Sequence, residues 1–269
     1  MRCAGGAMTG TGGFSRELAL RVFEGYVSRF DASDPKVALK LEHMYRVAEL
    51  CDEIARSEGL HGGDADLAWL CGLLHDIGRF EQLKRWSTFR DAESVGHAEL
   101  GVEVLEGVEG ARVADFCDDA EWSGIVMSAV ELHSGLRLPD GLGARTREFC
   151  EIVRDADKVD IVRVFSASDC QSVLGLTPDE FRQGSISDAA MAGFGERRCL
   201  GPEDRQANLD GLLGVVCLAF EIVNPSARSA LERLGYLDDL LRRPFGLVPS
   251  FTSPDTRSKW GRIVRVFSA

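Results

Sequence analysis

The chain has 269 residues, 45% of them hydrophobic and 28% charged, with a formal net charge of -12. That is material for one sizeable core, and the acidic balance excludes non-specific binding to a nucleic-acid backbone, which needs Lys and Arg in excess. The eight cysteines are scattered without a C-x-x-C pair, so a reducing cytoplasm is expected rather than a disulfide framework. No stretch has the length of a membrane span, so no membrane association is expected.

Residues 1–13 are Gly-rich and lack the apolar run of a signal peptide, which predicts a disordered leader. A single helical domain is expected over 14–241, with a basic tail of no clear period over 242–269. The first helix begins at Ser15, a plausible N-cap, and carries Ala19, Val22, Phe23, Tyr26, Val27 and Phe30 at helical spacing. Pro35 is placed to open the second helix, which runs to about Glu58 and stops at Gly59. His43 shares its apolar face with Val47, Leu50, Cys51 and Ile54, and so points inward. His61 falls in a polar loop and is expected in water. Asp64 is the expected cap of a third helix, which ends in the apolar run LCGLLHDIGRF at His75-Asp76. Adjacent residues point about 100° apart on a helix, but at its end the backbone is free to turn both toward one ion.

Arg79–Arg90 is polar and partly basic and is expected to be a surface loop or lid. A helix from Ala92 or Ser94 then places His97, Leu100, Gly101, Val104 and Leu105 inward. Ala111–Cys117 and Trp122–Leu132 are further helical segments, the second ending near His133. Arg145–Phe165 is a strong helix with Asp157 on the stripe of Cys150, Val153, Ile161 and Val164, while Asp155 and Asp160 are expected to be solvated or capping. Thr177-Pro178-Asp179-Glu180 has the form of a helix start, Gln183–Pro202 is loop-like, and Asn208–Val223 and Ser226–Leu241 close the domain as two helices. No alternating strand run stands out, so the fold class is all-α.

Four histidines and two carboxylates thus lie on, or at the ends of, stripes that otherwise face the core. Burying them unpaired would cost several kcal/mol each, about the penalty of an isolated buried carboxylate, or shift their pKa values. The order His43, His75-Asp76, His97, His133, Asp157, carried by KLEHMYRVA, LLHDIGRF, SVGHAELG, AVELHSG and RDADKVD, resembles the HD-domain superfamily of metal-dependent phosphohydrolases over roughly 36–165. The resemblance implies an HD-domain-like helical bundle with additional C-terminal helices and metals bound between helices. It implies that His43, His75, Asp76 and Asp157 bind one ion, and that Asp76 bridges to a second completed by His97 and His133. In a mononuclear site, His97 and His133 would instead hydrogen-bond substrate phosphate. Ligation by N and O without thiolate fits Fe, Mn, Co, Ni or Zn.

The activity so implied is a phosphomonoesterase or phosphodiesterase acting on a nucleotide or similar small phosphorylated metabolite through a metal-activated water. Asp76 is the central catalytic candidate, and Arg79 and Lys158 are candidate phosphate-binding cations. Arg79 could equally be a helix-dipole partner, and Lys158 could pair with Asp155 or Glu151. Two alternatives share the ligand set: a mixed-valent di-iron oxygenase, and a non-catalytic metal-containing nucleotide sensor. A homo-oligomer is compatible with this composition.

Overall fold

The computed structural model describes residues 14–248 and 250–268; the leader expected over 1–13 lies outside them. Among the described residues the chain is all-α, with one isolated bridge, Glu106 to Arg112, and no strand. In chain order the helices are α1 (Arg16–Val27), α2 (Pro35–Ser57), α3 (Gly63–Leu74), α4 (Gly78–Trp86), α5 (His97–Leu105), α6 (Val113–Phe116), α7 (Ala120–Leu132) and α8 (Ala144–Ala167). They continue as α9 (Cys170–Leu174), α10 (Pro178–Gln183), α11 (Asp188–Gly195), α12 (Asp210–Cys217), α13 (Pro225–Leu234), α14 (Tyr236–Arg242) and α15 (Pro254–Phe267).

Local chemistry sets the starts. The Ser15 hydroxyl accepts from the Leu18 amide at 3.3 Å, and Asp34 accepts from Lys36 at 2.8 Å with Pro35 opening α2. Thr177 and Glu180 form a reciprocal capping box at α10. Helix α3 is apolar all round and buried from Leu67 to Leu74, as a helix at the centre of a bundle must be. It packs along α2 and against α7 and α8. Helix α8 runs through the middle, touching α2, α3, α7, α12, α13 and α14. It therefore buries Ile152, Val153, Ala156, Val159 and Val162 on several sides rather than along one stripe.

Several expectations are corrected. The segment after Arg79 is not a loop: α4 continues to Trp86, with Phe80, Glu81, Gln82 and Leu83 buried. Its acid, Glu81, is paired and not solvated. Glu81, fully buried, has Lys84 at 3.2 Å, Arg85 at 3.6 Å and Arg29 of the distant α1 segment at 4.0 Å. Asp64 does not cap α3, which begins without a side-chain cap; it pairs instead with Arg145 at 2.7 Å. Helix α5 starts only at His97. Within Gln183–Pro202 the chain forms α11, capped by Ser187, and Ser226–Leu241 is two helices parted at Gly235. The tail holds α15, whose Thr256, Trp260 and Ile263 are buried. Trp260 donates its indole hydrogen to the Leu241 carbonyl at 3.2 Å, tying α15 to the end of α14.

Candidate metal centre

The site lies where α2, the α3–α4 junction, α5, the end of α7 and α8 converge. His75 and Asp76 sit in the turn between α3 and α4, free of the helical rule that would separate them. His43 comes from α2, His97 opens α5, His133 follows α7, and Asp157 comes from α8. The four histidines and Asp76 are buried, and Asp157 is 13% exposed at its side chain.

Each histidine is fixed by its Nδ1. That atom meets Asp160 Oδ2 at 2.8 Å in His43, the Gly72 carbonyl at 2.7 Å in His75, Asp91 Oδ2 at 2.7 Å in His97 and the Val130 carbonyl at 2.8 Å in His133. Carbonyls and ionised carboxylates only accept, so each Nδ1 carries its hydrogen, and each ring in its neutral form presents an Nε2 lone pair. Those lone pairs face one another. The Nε2 atoms of His43 and His75 are 3.2 Å apart, and those of His97 and His133 are 3.0 Å apart. Two opposed lone pairs repel unless a proton or cation lies between them. Two nitrogens each about 2.0–2.1 Å from one ion stand roughly 3.0–3.4 Å apart at ordinary coordination angles.

Asp76 stands between the two pairs. Its Oδ2 is 3.7 Å from the Nε2 of both His43 and His75, and its Oδ1 is 3.5 Å from that of His97 and 3.4 Å from that of His133. Asp157 Oδ1 joins the first pair, 3.1 Å from His43 and 3.6 Å from His75. Oδ1 of Asp76 is buried and has no hydrogen-bond partner, a costly state for a carboxylate oxygen unless a cation meets it. The groupings His43, His75, Asp157 and His75, Asp76, His133 each bring their ligand atoms within 4.8 Å of one another and so fit a metal ion.

The electrostatics keep the carboxylates charged. Burial pushes the Asp76 carboxyl up, but Lys40 and Arg79 outweigh it and hold the group well below the usual carboxylate range. Lys40 Nζ donates to Oδ2 at 2.5 Å. Asp157 is likewise held low, against burial, by His43 and His75. Asp160 is not solvated as expected. It is buried, accepts from Arg163 at 2.6 Å and Arg46 at 3.0 Å, and its carboxyl is brought to about 2, against burial, by its hydrogen bond to His43 and by Arg163. Asp155 is also buried; it accepts from the Val223 and Asn224 amides and so anchors the start of α13. This arrangement supplies the partners that fix a ligating imidazole.

The two cations singled out in the sequence both reach the site. Arg79 Nε is 3.4 Å from Asp76 Oδ1, and its Nη1 donates to Gln82, to the Phe89 carbonyl and to Asp91. Lys158 is buried, 3.6 Å from Asp155 and 3.5 Å from the Glu221 carbonyl. Both line a cavity of about 250 Å³ that opens beside Asp76, His97, His133 and Asp157. His61 is exposed and belongs to neither grouping. Sequence reading missed Lys40, Asp91 and Arg154. Arg154 binds the carbonyls of Leu132, His133 and Leu136 at 2.9, 3.1 and 3.3 Å, and so holds the backbone that carries His133. Lys40 and Asp160 stand three residues from His43 and Asp157, on the same helical faces, and that spacing was the available signal. Asp91 carries none, since its partnership depends on loop geometry.

The HD domain family matches residues 41–162, and that region is assigned to the HD-domain superfamily. Comparison with curated proteins and with solved structures returned no match. Among the described residues, no helix is long and apolar enough to cross a membrane.

Proposed function

We propose that this chain is a metal-dependent phosphohydrolase acting on a small phosphorylated metabolite at a dinuclear His/Asp site. The observation that carries the reading is Asp76, with one oxygen toward each pair of opposed imidazoles and its Oδ1 without a partner, at the floor of a cavity lined by Arg79 and Lys158. His43, His75, Asp157 and Asp76 would hold one ion; Asp76, His97 and His133 would hold the other. Bound divalent ions would acidify water toward neutral pH and neutralise phosphoryl charge.

The chain's own groups do the rest. The bonds from each Nδ1 aim the imidazoles before any ion arrives, so little reorganisation is needed. Arg79 is guyed by three acceptors and keeps a positive charge beside the phosphoryl position. Lys158 has only long contacts in a buried setting, and a phosphoryl oxygen would give it a short, charge-assisted bond. The low exposure of Arg79 and Lys158 strengthens both interactions.

The test is metal analysis of protein purified without chelator, then assay of phosphate release from monoesters and diesters with Mn, Fe, Co, Ni or Zn, under anaerobic conditions. Two equivalents of metal and phosphate release without oxygen are expected. Obligatory oxygen uptake with no ester turnover would overturn the reading in favour of a di-iron oxygenase. Tight nucleotide binding with no turnover under any metal would favour a sensor.

A further inference from the structure

His75 and His133 stand in the same local geometry. Each follows the last residue of a helix, with φ/ψ of -52°/-38° and -61°/-38°, and each Nδ1 donates to the carbonyl three residues back. The difference lies in what comes next. After His75 the turn runs straight into α4, with the Ile77 amide on the Leu74 carbonyl at 3.1 Å and the Arg79 amide on the Asp76 carbonyl at 2.9 Å. After His133 the backbone gives one long bond, from the Gly135 amide to the Leu132 carbonyl at 3.4 Å, and no helix begins before Ala144. The last carbonyls of a helix have no partner within it, so the end of α7 depends on a partner from elsewhere.

That partner is Arg154 of α8, which is buried. Its Nη1 donates to the carbonyls of Leu132 at 2.9 Å, His133 at 3.1 Å and Gly135, and its Nη2 donates to that of Leu136 at 3.3 Å. The acids beside it on α8 face other cations: Glu151 faces Arg147 at 3.7 Å, and Asp155 faces Lys158 at 3.6 Å. A cation at a helix C-terminus meets the negative end of the helix dipole, and a planar guanidinium offers several donors in a fixed fork. Arg154 also stands one turn before Asp157. Helix α8 thus carries a ligand of the first position and the brace of a ligand of the second.

We propose that Arg154 is the positioning residue of the His97–His133 ion: it does for His133 what the start of α4 does for His75. It acts through the backbone that aims the His133 ring, and not by ligation. The His43–His75 position has its own support in α4 and does not depend on it. The inference rests on the dinuclear part of the reading above and not on the reaction.

The test is electron paramagnetic resonance and metal analysis of the full chain, purified without chelator from cells grown with added Mn²⁺, followed by competition against a chelator. Wild-type protein should hold two equivalents and show the signal of a coupled Mn²⁺ pair. In Arg154→Gln the content should fall toward one equivalent, with the signal of an isolated ion. Affinity at the second position should drop about 10- to 100-fold, the usual cost of losing a group that orients a ligand, while the first stays within about twofold. Arg154→Lys, which keeps the charge without the fork, should recover part of the second affinity. If Arg154→Gln does not fold, Arg154→Lys is read in the same way against wild type. A coupled pair with unchanged affinities in Arg154→Gln, equal weakening of both positions in either variant, or a lysine variant no better than the glutamine one would overturn the proposal. Unchanged binding in Arg154→Gln would leave the dinuclear site intact, whereas a wild-type chain holding a single ion would remove the second position and the proposal with it.

Discussion

Asp160 accepts the Nδ1 hydrogen of His43 at 2.8 Å from the neighbouring helix, while Arg163 and Arg46 hold the same carboxylate from its other side. The contact fixes the tautomer of His43 and raises the basicity of its Nε2. Asp160→Asn keeps the shape and removes the charge. Metal affinity, measured by competition against a chelator, should fall about 10- to 100-fold, the usual effect of losing such a partner. Unchanged affinity would mean that the His43 ring is fixed by packing alone.

Asp91 plays the same part for His97, at 2.7 Å, but from the short 3-10 turn Asp91–Glu93 rather than from a bundle helix. Asp91→Ala should therefore loosen the His97–His133 position and spare the His43–His75 position, which it does not touch. The expected metal content falls from two equivalents toward one. Asp157→Ala should weaken the other position, since Asp157 faces only His43 and His75. Loss of both ions in Asp91→Ala would show that the two positions fill together.

Much of this was legible because helical period carries it. His43 with Val47 and Cys51, and His97 with Leu100 and Val104, are buried on faces that the spacing alone defines. What period could not carry was pairing across the chain. Segment 79–90 looks solvated because Arg79, Glu81, Lys84 and Arg85 are all charged, yet Glu81 is fully buried among cations, one of them contributed by Arg29 some fifty residues earlier. The tail looked aperiodic for a related reason: three buried residues, Thr256, Trp260 and Ile263, make a narrow stripe among Arg and Lys. Lys158 stood out beside Asp157, but the far side of the cavity did not, because Cys199, Arg205 and Glu221 reach it only through the packing of α12 and its flanking segments on α8.

Gly78 is where α4 meets α5. A Cβ there would lie 2.3 Å from the His97 carbonyl oxygen and 2.4 Å from the Gly101 nitrogen, both backbone atoms that cannot rotate away. Gly78→Ala should cost on the order of 2–3 kcal/mol, as overpacking does, and should shift His97 as well. Gly124, exposed in the middle of α7 with nothing within 4 Å, is the control. Gly124→Ala should stabilise by about 0.5–1 kcal/mol through helix propensity alone. Thermal denaturation of both variants reads the difference, and a neutral Gly78→Ala would mean that the two helices can part without loss.

Removal of metal should be felt in stability before it is felt in any assay. Without a cation, two pairs of Nε2 lone pairs face each other at 3.2 and 3.0 Å, and a buried Asp76 oxygen has no hydrogen-bond partner. With a free ion a thousandfold above its dissociation constant, binding to the folded state adds about 4 kcal/mol. For a chain of this size each kcal/mol moves the midpoint by about 2–4 °C, so chelation should lower it by on the order of 8 °C or more. Adding back the metal found in the purified protein should restore it. His75→Ala opens the first position, and the stabilisation left in that variant measures the His97–His133 position by itself. A midpoint indifferent to chelator in wild-type protein would show that protons, not metal ions, separate the opposed imidazoles.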